Sequence, residues 1–200
     1  MPVPSAPLGF DHSIEIAATI DKVFDAFFDP HALASWWQAA RSVTVARPLG
    51  IYAVEWKTTT FEDEILGPLG GVFHGTVMDA SPPTGFFLAE AYWIPPQGDP
   101  IGPMAFEVAL SASGPKTRVR IKQTGYEEGP RWRRYYEIVA EGWKVALADL
   151  KTYAEQDLAS RLWGKWGRIT AAEREASEGS DAESASPAVS ADPHRAKDGV

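Results

Sequence analysis

The sequence predicts an α+β fold: a curved antiparallel sheet of about six or seven strands wrapped around one long C-terminal helix, with two short helices after the first strand. Three observations predict it. The strand-like segments alternate apolar and polar residues and are joined by short, turn-rich connections, the pattern of an antiparallel sheet with one face in water. The helix-like segments come as two short ones near the start and one long one near the end. The long one carries Trp132, Tyr136, Val139, Trp143, Leu147, Leu150 and Ala154 at intervals of three or four. Such a stripe needs a broad apolar partner, and the sheet is the only candidate.

Ile14 and Ile16 alternate with Ser13 and Glu15, which makes 12–18 a short half-buried strand. Thr19 stands where an N-cap belongs, and Ile20, Val23, Phe24, Phe27 and Phe28 follow at helical spacing. Asp29-Pro30 ends that helix, because a proline pushes the preceding residue out of helical geometry. The same pair starts the next helix, with Asp29 as cap and Pro30 in the first turn, leading to Leu33, Trp36 and Trp37. Strands are then expected over 42–46, 51–57, 72–79, 85–94, 104–112 and 117–124. The last is the plainest, with Val119 and Ile121 inward and Arg118, Arg120 and Lys122 outward. Pro82-Pro83, Pro95-Pro96 and Ser113-Gly114-Pro115 mark connections, and 58–70 is a loop rich in Thr, acidic residues and Gly. Gly129-Pro130 opens the long helix, which is expected to end near Leu158.

Composition narrows the function. The 200 residues are 44% apolar and include eight Trp, more aromatic surface than a minimal core needs. The net charge of −8 argues against nucleic acid as partner, since phosphate binding needs a Lys/Arg surface. With no cysteine there is no disulfide, thiolate metal site or Cys nucleophile. No apolar run approaches the roughly 20 residues of a membrane span, so no transmembrane segment is expected. Residues 1–10, an N-terminal extension, lack the basic and apolar regions of a signal peptide, and the simplest compartment is the cytoplasm. The domain proper is expected over 11–158, followed by a Trp-containing extension over 159–170 and an acidic tail over 171–200. The tail has seven acidic against three basic residues and no aromatic one, so it buries too little apolar area to offset its ordering entropy and reads as disordered.

At this point the sequence resembles a known family. Residues 14–37, IEIAATIDKVFDAFFDPHALASWW, are similar to the opening of the START/Bet v 1-like superfamily, in the branch homologous to the C-terminal domain of the activator of Hsp90 ATPase. The Gly-led strand 50–56, GTVMDASPP at 75–83, TRVRIKQTGY at 117–126 and EGWKVALADLKTYAE at 141–155 follow in the family's order. The resemblance covers 11 to about 158, and the longer 58–70 loop departs from the common pattern. It implies a helix-grip fold with an apolar cavity between sheet and long helix. In that fold Trp37, Trp56, Tyr92, Phe106, Tyr136, Val139 and Trp143 are the expected ligand-binding residues, their large apolar area suiting a planar or lipid-like molecule.

Glu90 and His74 are the candidate catalytic residues, on adjacent expected strands, with Glu55 on a third. Glu90 shares the parity of Phe86 and Leu88; an inward Glu90 would have a raised pKa. The histidines have no ligand spacing, so no metal is expected, and no Gly-rich phosphate loop points to a cofactor. Arg131, Arg133 and Arg134 read as a solvated helix start. The Trp163 and Trp166 segment, 161–168, reads as an aromatic latch on the domain or a surface contact. Three functions compete: binding of a small apolar or aromatic molecule, a polyketide cyclase- or hydrolase-like enzyme using the same cavity, and partner binding to an Hsp90-type chaperone ATPase. The sequence leaves the oligomeric state open.

Overall fold

In a computed structural model of the chain, the backbone is described for residues 8–183 and the side chains for 8–156. The expected elements follow in order, and the 58–70 segment, expected as a loop, adds the short strands β4 and β5: β1 (Phe10–Ile16), α1 (Ile20–Ala26), α2 (Pro30–Trp36), β2 (Arg41–Thr44), β3 (Gly50–Trp56), β4 (Glu62–Asp63), β5 (Gly67–Pro68), β6 (Gly71–Ser81), β7 (Gly85–Ile94), β8 (Ile101–Ser113), β9 (Lys116–Thr124) and α3 (Pro130–Glu183). Seven strands form one antiparallel sheet in the order β1-β9-β8-β7-β6-β3-β2, and β4 and β5 pair apart from it. Residues Met1–Leu158 form one compact unit, which holds the whole sheet, and Ala159–Val200 another.

Of the two expected helix caps, the side chain of one forms its bond. Asp29 accepts a hydrogen bond from the Ala32 amide at 2.8 Å, with Pro30 opening α2. Thr19 occupies the N-cap of α1 in extended geometry but makes no side-chain cap bond. Both helices bury one face: Val23, Phe24 and Phe27 from the first, Ala32, Leu33 and Trp36 from the second. The α3 helix is tied to the first strand by polar contacts. His12 Nε2 donates to the Ala140 carbonyl at 2.8 Å, Lys151 Nζ donates to the Glu15 carbonyl at 2.9 Å, and Glu155 accepts from the Ala17 amide at 2.8 Å.

The long helix passes the end expected near Leu158, its backbone remaining helical to Glu183. The latch expected of 161–168 and the tail expected from Ala171 lie outside the residues whose side chains are described.

The strand β7 carries the largest departure from simple alternation. Phe86 and Leu88 are buried, but the buried set then shifts by one residue to Ala91 and Trp93. Glu90 stands at the shift with φ 49°, and the register with both neighbouring strands breaks around it. An extra residue of this kind turns every later side chain of the strand to the other face.

Candidate functional site

The site grows from the face that α3 turns to the sheet. Trp143, 6% exposed, stacks on Phe106 of β8 with centroids 5.1 Å apart and meets Trp37 at 4.7 Å. Trp37 in turn lies parallel to Trp36 at 5.1 Å and takes the edge of Trp56 at 4.8 Å. About two turns earlier on the helix, Tyr135 stacks on Trp93 of β7 at 5.3 Å. Between these two aromatic groups lies a cavity of ≈ 400 Å³. Phe73, Ile138 and Val139 complete its apolar wall, Leu66 and Leu69 line it from the 58–70 loop, and exposed Lys57, Gly142 and Val145 mark a side open to solvent.

The indole N–H groups are largely committed to the protein. Trp36 donates to the Ala26 carbonyl at 2.9 Å, Trp56 to that of Trp37 at 2.7 Å and Trp93 to that of Gly70 at 2.7 Å. These three rings therefore offer the cavity apolar surface without an unmet donor. Lys57 and Asp149 are the lining residues that carry charge, and both retain contact with solvent. Tyr135 is buried beside the Gln123 side chain; burial pushes its pKa far above the phenol range, against a smaller lowering by Gln123, so it stays neutral.

The 58–70 loop is pinned over this wall by one carboxylate. Asp63, 6% exposed, accepts from the amides of Ile65 and Leu66, each at 3.0 Å, and from Arg134 Nε of α3 at 2.8 Å. Arg134, expected to be merely solvated, is thus a tether. Burial alone raises the Asp63 pKa, but the Ile65 and Leu66 amides and the Arg134 guanidinium outweigh it and hold it below the ordinary value. A carboxylate depressed in the folded state stabilises above its unfolded pKa of about 3.9, and loses that contribution as pH falls through the folded value. Local opening at Ile65 and Leu66, read as amide exchange corrected for its intrinsic pH dependence, is therefore expected to accelerate on acidification below about pH 4. In Asp63→Asn it should be faster already at neutral pH and lack that acid step. Unchanged protection in the variant would show that packing of Leu66, not the carboxylate, holds the loop.

The structure brings together four of the seven ligand-binding residues expected from the sequence: Trp37, Trp56, Val139 and Trp143 line the cavity. Phe106 is fully buried behind Trp143 and backs the wall without lining it. Tyr136 lies away from the lining, edge-on to Tyr126 at 5.3 Å. Tyr92 also lies off the lining, and Trp93 takes its place because of the shift at Glu90. That shift also corrects the parity reading of Glu90, which is exposed. His74 alternates with buried Phe73 and Gly75 on β6, and Glu55 is held by Arg41 at 2.7 Å. None of the three lines the cavity.

Sequence reasoning missed Phe73, Gln123 and Tyr135. Tyr135, Ile138, Gly142 and Ala146 fit helical spacing as well as Tyr136, Val139 and Trp143 do, and periodicity alone does not choose between neighbouring stripes. Gln123 was legible only as an inward position between Ile121 and the end of β9. A glycine inside a helix costs about 1 kcal/mol relative to alanine, so Gly142 calls for close approach of the helix to the sheet or a ligand. No described atom outside its own helix lies within 4 Å of where a Cβ would stand, so the sheet is not the reason. Gly142 instead lines the cavity at an exposed point of the helix.

Comparison with known proteins agrees with this architecture. The family model described as "Activator of Hsp90 ATPase homolog 1-like protein" matches residues 17–155. A crystal structure from Mesorhizobium loti is similar at a TM-score of 0.57 and 17% identity, covering 74% of this chain and 98% of the other. One from Chromobacterium violaceum has 22% identity and a TM-score of 0.51, covering 74% and 99%. The solution structure of the Aha1 dimer from Colwellia psychrerythraea has 16% identity and a TM-score of 0.54, covering 74% and 96%. At these identities the likeness is one of fold. No curated protein matches the sequence.

Proposed function

The chain belongs to the Activator of Hsp90 ATPase homolog 1-like family, and on that premise we propose that its cavity binds a small apolar or aromatic molecule. The observation that carries the reading is the ≈ 400 Å³ space walled by Trp36, Trp37, Trp56, Trp93 and Trp143. Its size falls in the range of roughly 300–1,000 Å³ typical of ligand pockets, and so does its mostly apolar wall. A protein that only presented its outer surface to a chaperone ATPase would have no need of that space, since voids lined by large side chains cost packing energy. A cyclase- or hydrolase-like reaction in the same cavity would need an acid or base there. Glu90 and His74 are not on its lining, and Lys57 and Asp149 sit where water reaches them.

No helix among the described residues is long and apolar enough to cross a membrane, which suits a carrier working in the cytoplasm. Among the described residues no group of three or more His, Cys, Asp or Glu is placed to hold a metal ion.

Two measurements test the reading. Native mass spectrometry of protein purified from its own host should show a bound small molecule. Titration with the apolar fluorophore 1-aminoanthracene should quench tryptophan emission saturably. Glu90→Gln and His74→Ala should leave that titration within about twofold of the parent, as surface changes normally do. A linear, unsaturable response in the parent, with only the bare chain mass in the spectrometer, would refute binding. Loss of a measurable turnover in either variant, with folding intact, would favour the enzyme.

A further inference from the structure

Resting on the proposed binding role, the inference concerns what kind of molecule the cavity selects. Gln123 is 1% exposed and yet lines the cavity. With Tyr135 it is one of two buried side chains there with both donor and acceptor capacity, since a carboxamide carries two N–H groups and a carbonyl oxygen and a phenol hydroxyl can do either. Its Nε2 lies 3.2 Å from the Met104 sulfur, a weak acceptor, and the Tyr135 hydroxyl is its polar neighbour on the cavity lining. The pair therefore holds hydrogen-bonding capacity that the protein meets only in part. Around it the wall is aromatic: Trp93 stacked on Tyr135 beside it, and Trp143 and Trp37 across the space.

A polar group buried without a partner is costly, so a ligand that supplies one hydrogen bond at this point gains what a hydrocarbon does not. A charged ligand loses more than it gains. Lys57 and Asp149 lie at the solvated rim, Tyr135 stays neutral, and no counter-charge faces Gln123 from the lining. We propose that the cavity selects an uncharged, flat aromatic molecule bearing one hydroxyl or carbonyl, which lies against the tryptophan wall and hydrogen-bonds the Gln123–Tyr135 pair.

Three probes of one shape separate the contributions: naphthalene, 2-naphthol and 2-naphthoate, each titrated at pH 7 against the parent chain, Gln123→Met and Tyr135→Phe. Methionine keeps the length and apolar volume of Gln123, and phenylalanine keeps the ring of Tyr135, so at least one variant is expected to fold. In the parent, 2-naphthol should bind about tenfold more tightly than naphthalene, one buried hydrogen bond of ordinary strength. The carboxylate should bind at least tenfold more weakly than the naphthol. In a folded variant the preference for naphthol should shrink to about twofold or less. Equal affinities for naphthol and naphthalene in the parent would overturn the inference while leaving the binding role standing. So would a preference for the carboxylate, or a naphthol preference that survives in both variants. Failure of all three probes to bind would overturn the binding role and the inference with it.

Discussion

Replacing Trp143 by alanine is expected to destabilise the domain by about 3 kcal/mol, the lower end of the range for large aromatic truncations in a core. The ring is 6% exposed and rests on Phe106 at 5.1 Å and Trp37 at 4.7 Å, so its removal forfeits two aromatic contacts and opens a void. It does not reach the upper end because part of the ring borders the cavity instead of packed side chains. Urea denaturation reads the loss directly as a shift in midpoint at constant slope. Binding of 1-aminoanthracene should change in the same variant, since the wall it would lie on is gone. A loss under about 1 kcal/mol with unchanged binding would mean that Trp143 neither packs nor lines a site.

Gly71→Ala is expected to cost about 3 kcal/mol or more, from a change of one methyl group. Gly71 opens β6 at φ 83°, a backbone conformation that L side chains avoid at about 1–2 kcal/mol. A Cβ there would also run into the Ile94 carbonyl oxygen of β7, which is backbone and has little room to give. The neighbouring Gly70 carbonyl accepts the Trp93 indole N–H at 2.7 Å, so the strain would reach the cavity wall. Gly114→Ala is the matched control. It too has positive φ, at 58°, but no atom lies within 4 Å of its added Cβ, and its cost should stay near 1 kcal/mol. Equal losses at both positions would show that backbone conformation alone, without the clash, sets the effect.

Much of the fold was legible because its signals are local. Asp29-Pro30 announces both the end of α1 and the start of α2, and alternation in 117–124 announces β9. The aromatic stripe of α3 required a sheet to cover it, and the 58–70 loop was recognised as a departure. What stayed illegible depends on single residues whose effect is not local. The extra residue at Glu90 exchanges Tyr92 for Trp93 at the site, and nothing in the run FFLAEAYWI distinguishes a regular strand from a bulged one. The choice between Tyr135 and Tyr136 depends on the rotation of α3 against the sheet, set by packing and not by period. The Asp63–Arg134 tether joins residues 71 positions apart, and no spacing rule connects them.

Gly142 gives the most direct test of whether the cavity is the binding site. Its Cβ position is open and faces the cavity, so Gly142→Leu should remove a helix-interior glycine and keep or raise stability by up to about 1 kcal/mol. The new side chain would occupy the space that a ligand needs. The measurement is the 1-aminoanthracene titration of this variant beside the parent. A folded, equally stable protein whose affinity has dropped at least tenfold is the predicted result. Undiminished affinity in a folded Gly142→Leu protein would contradict the account and place the binding surface elsewhere on the chain.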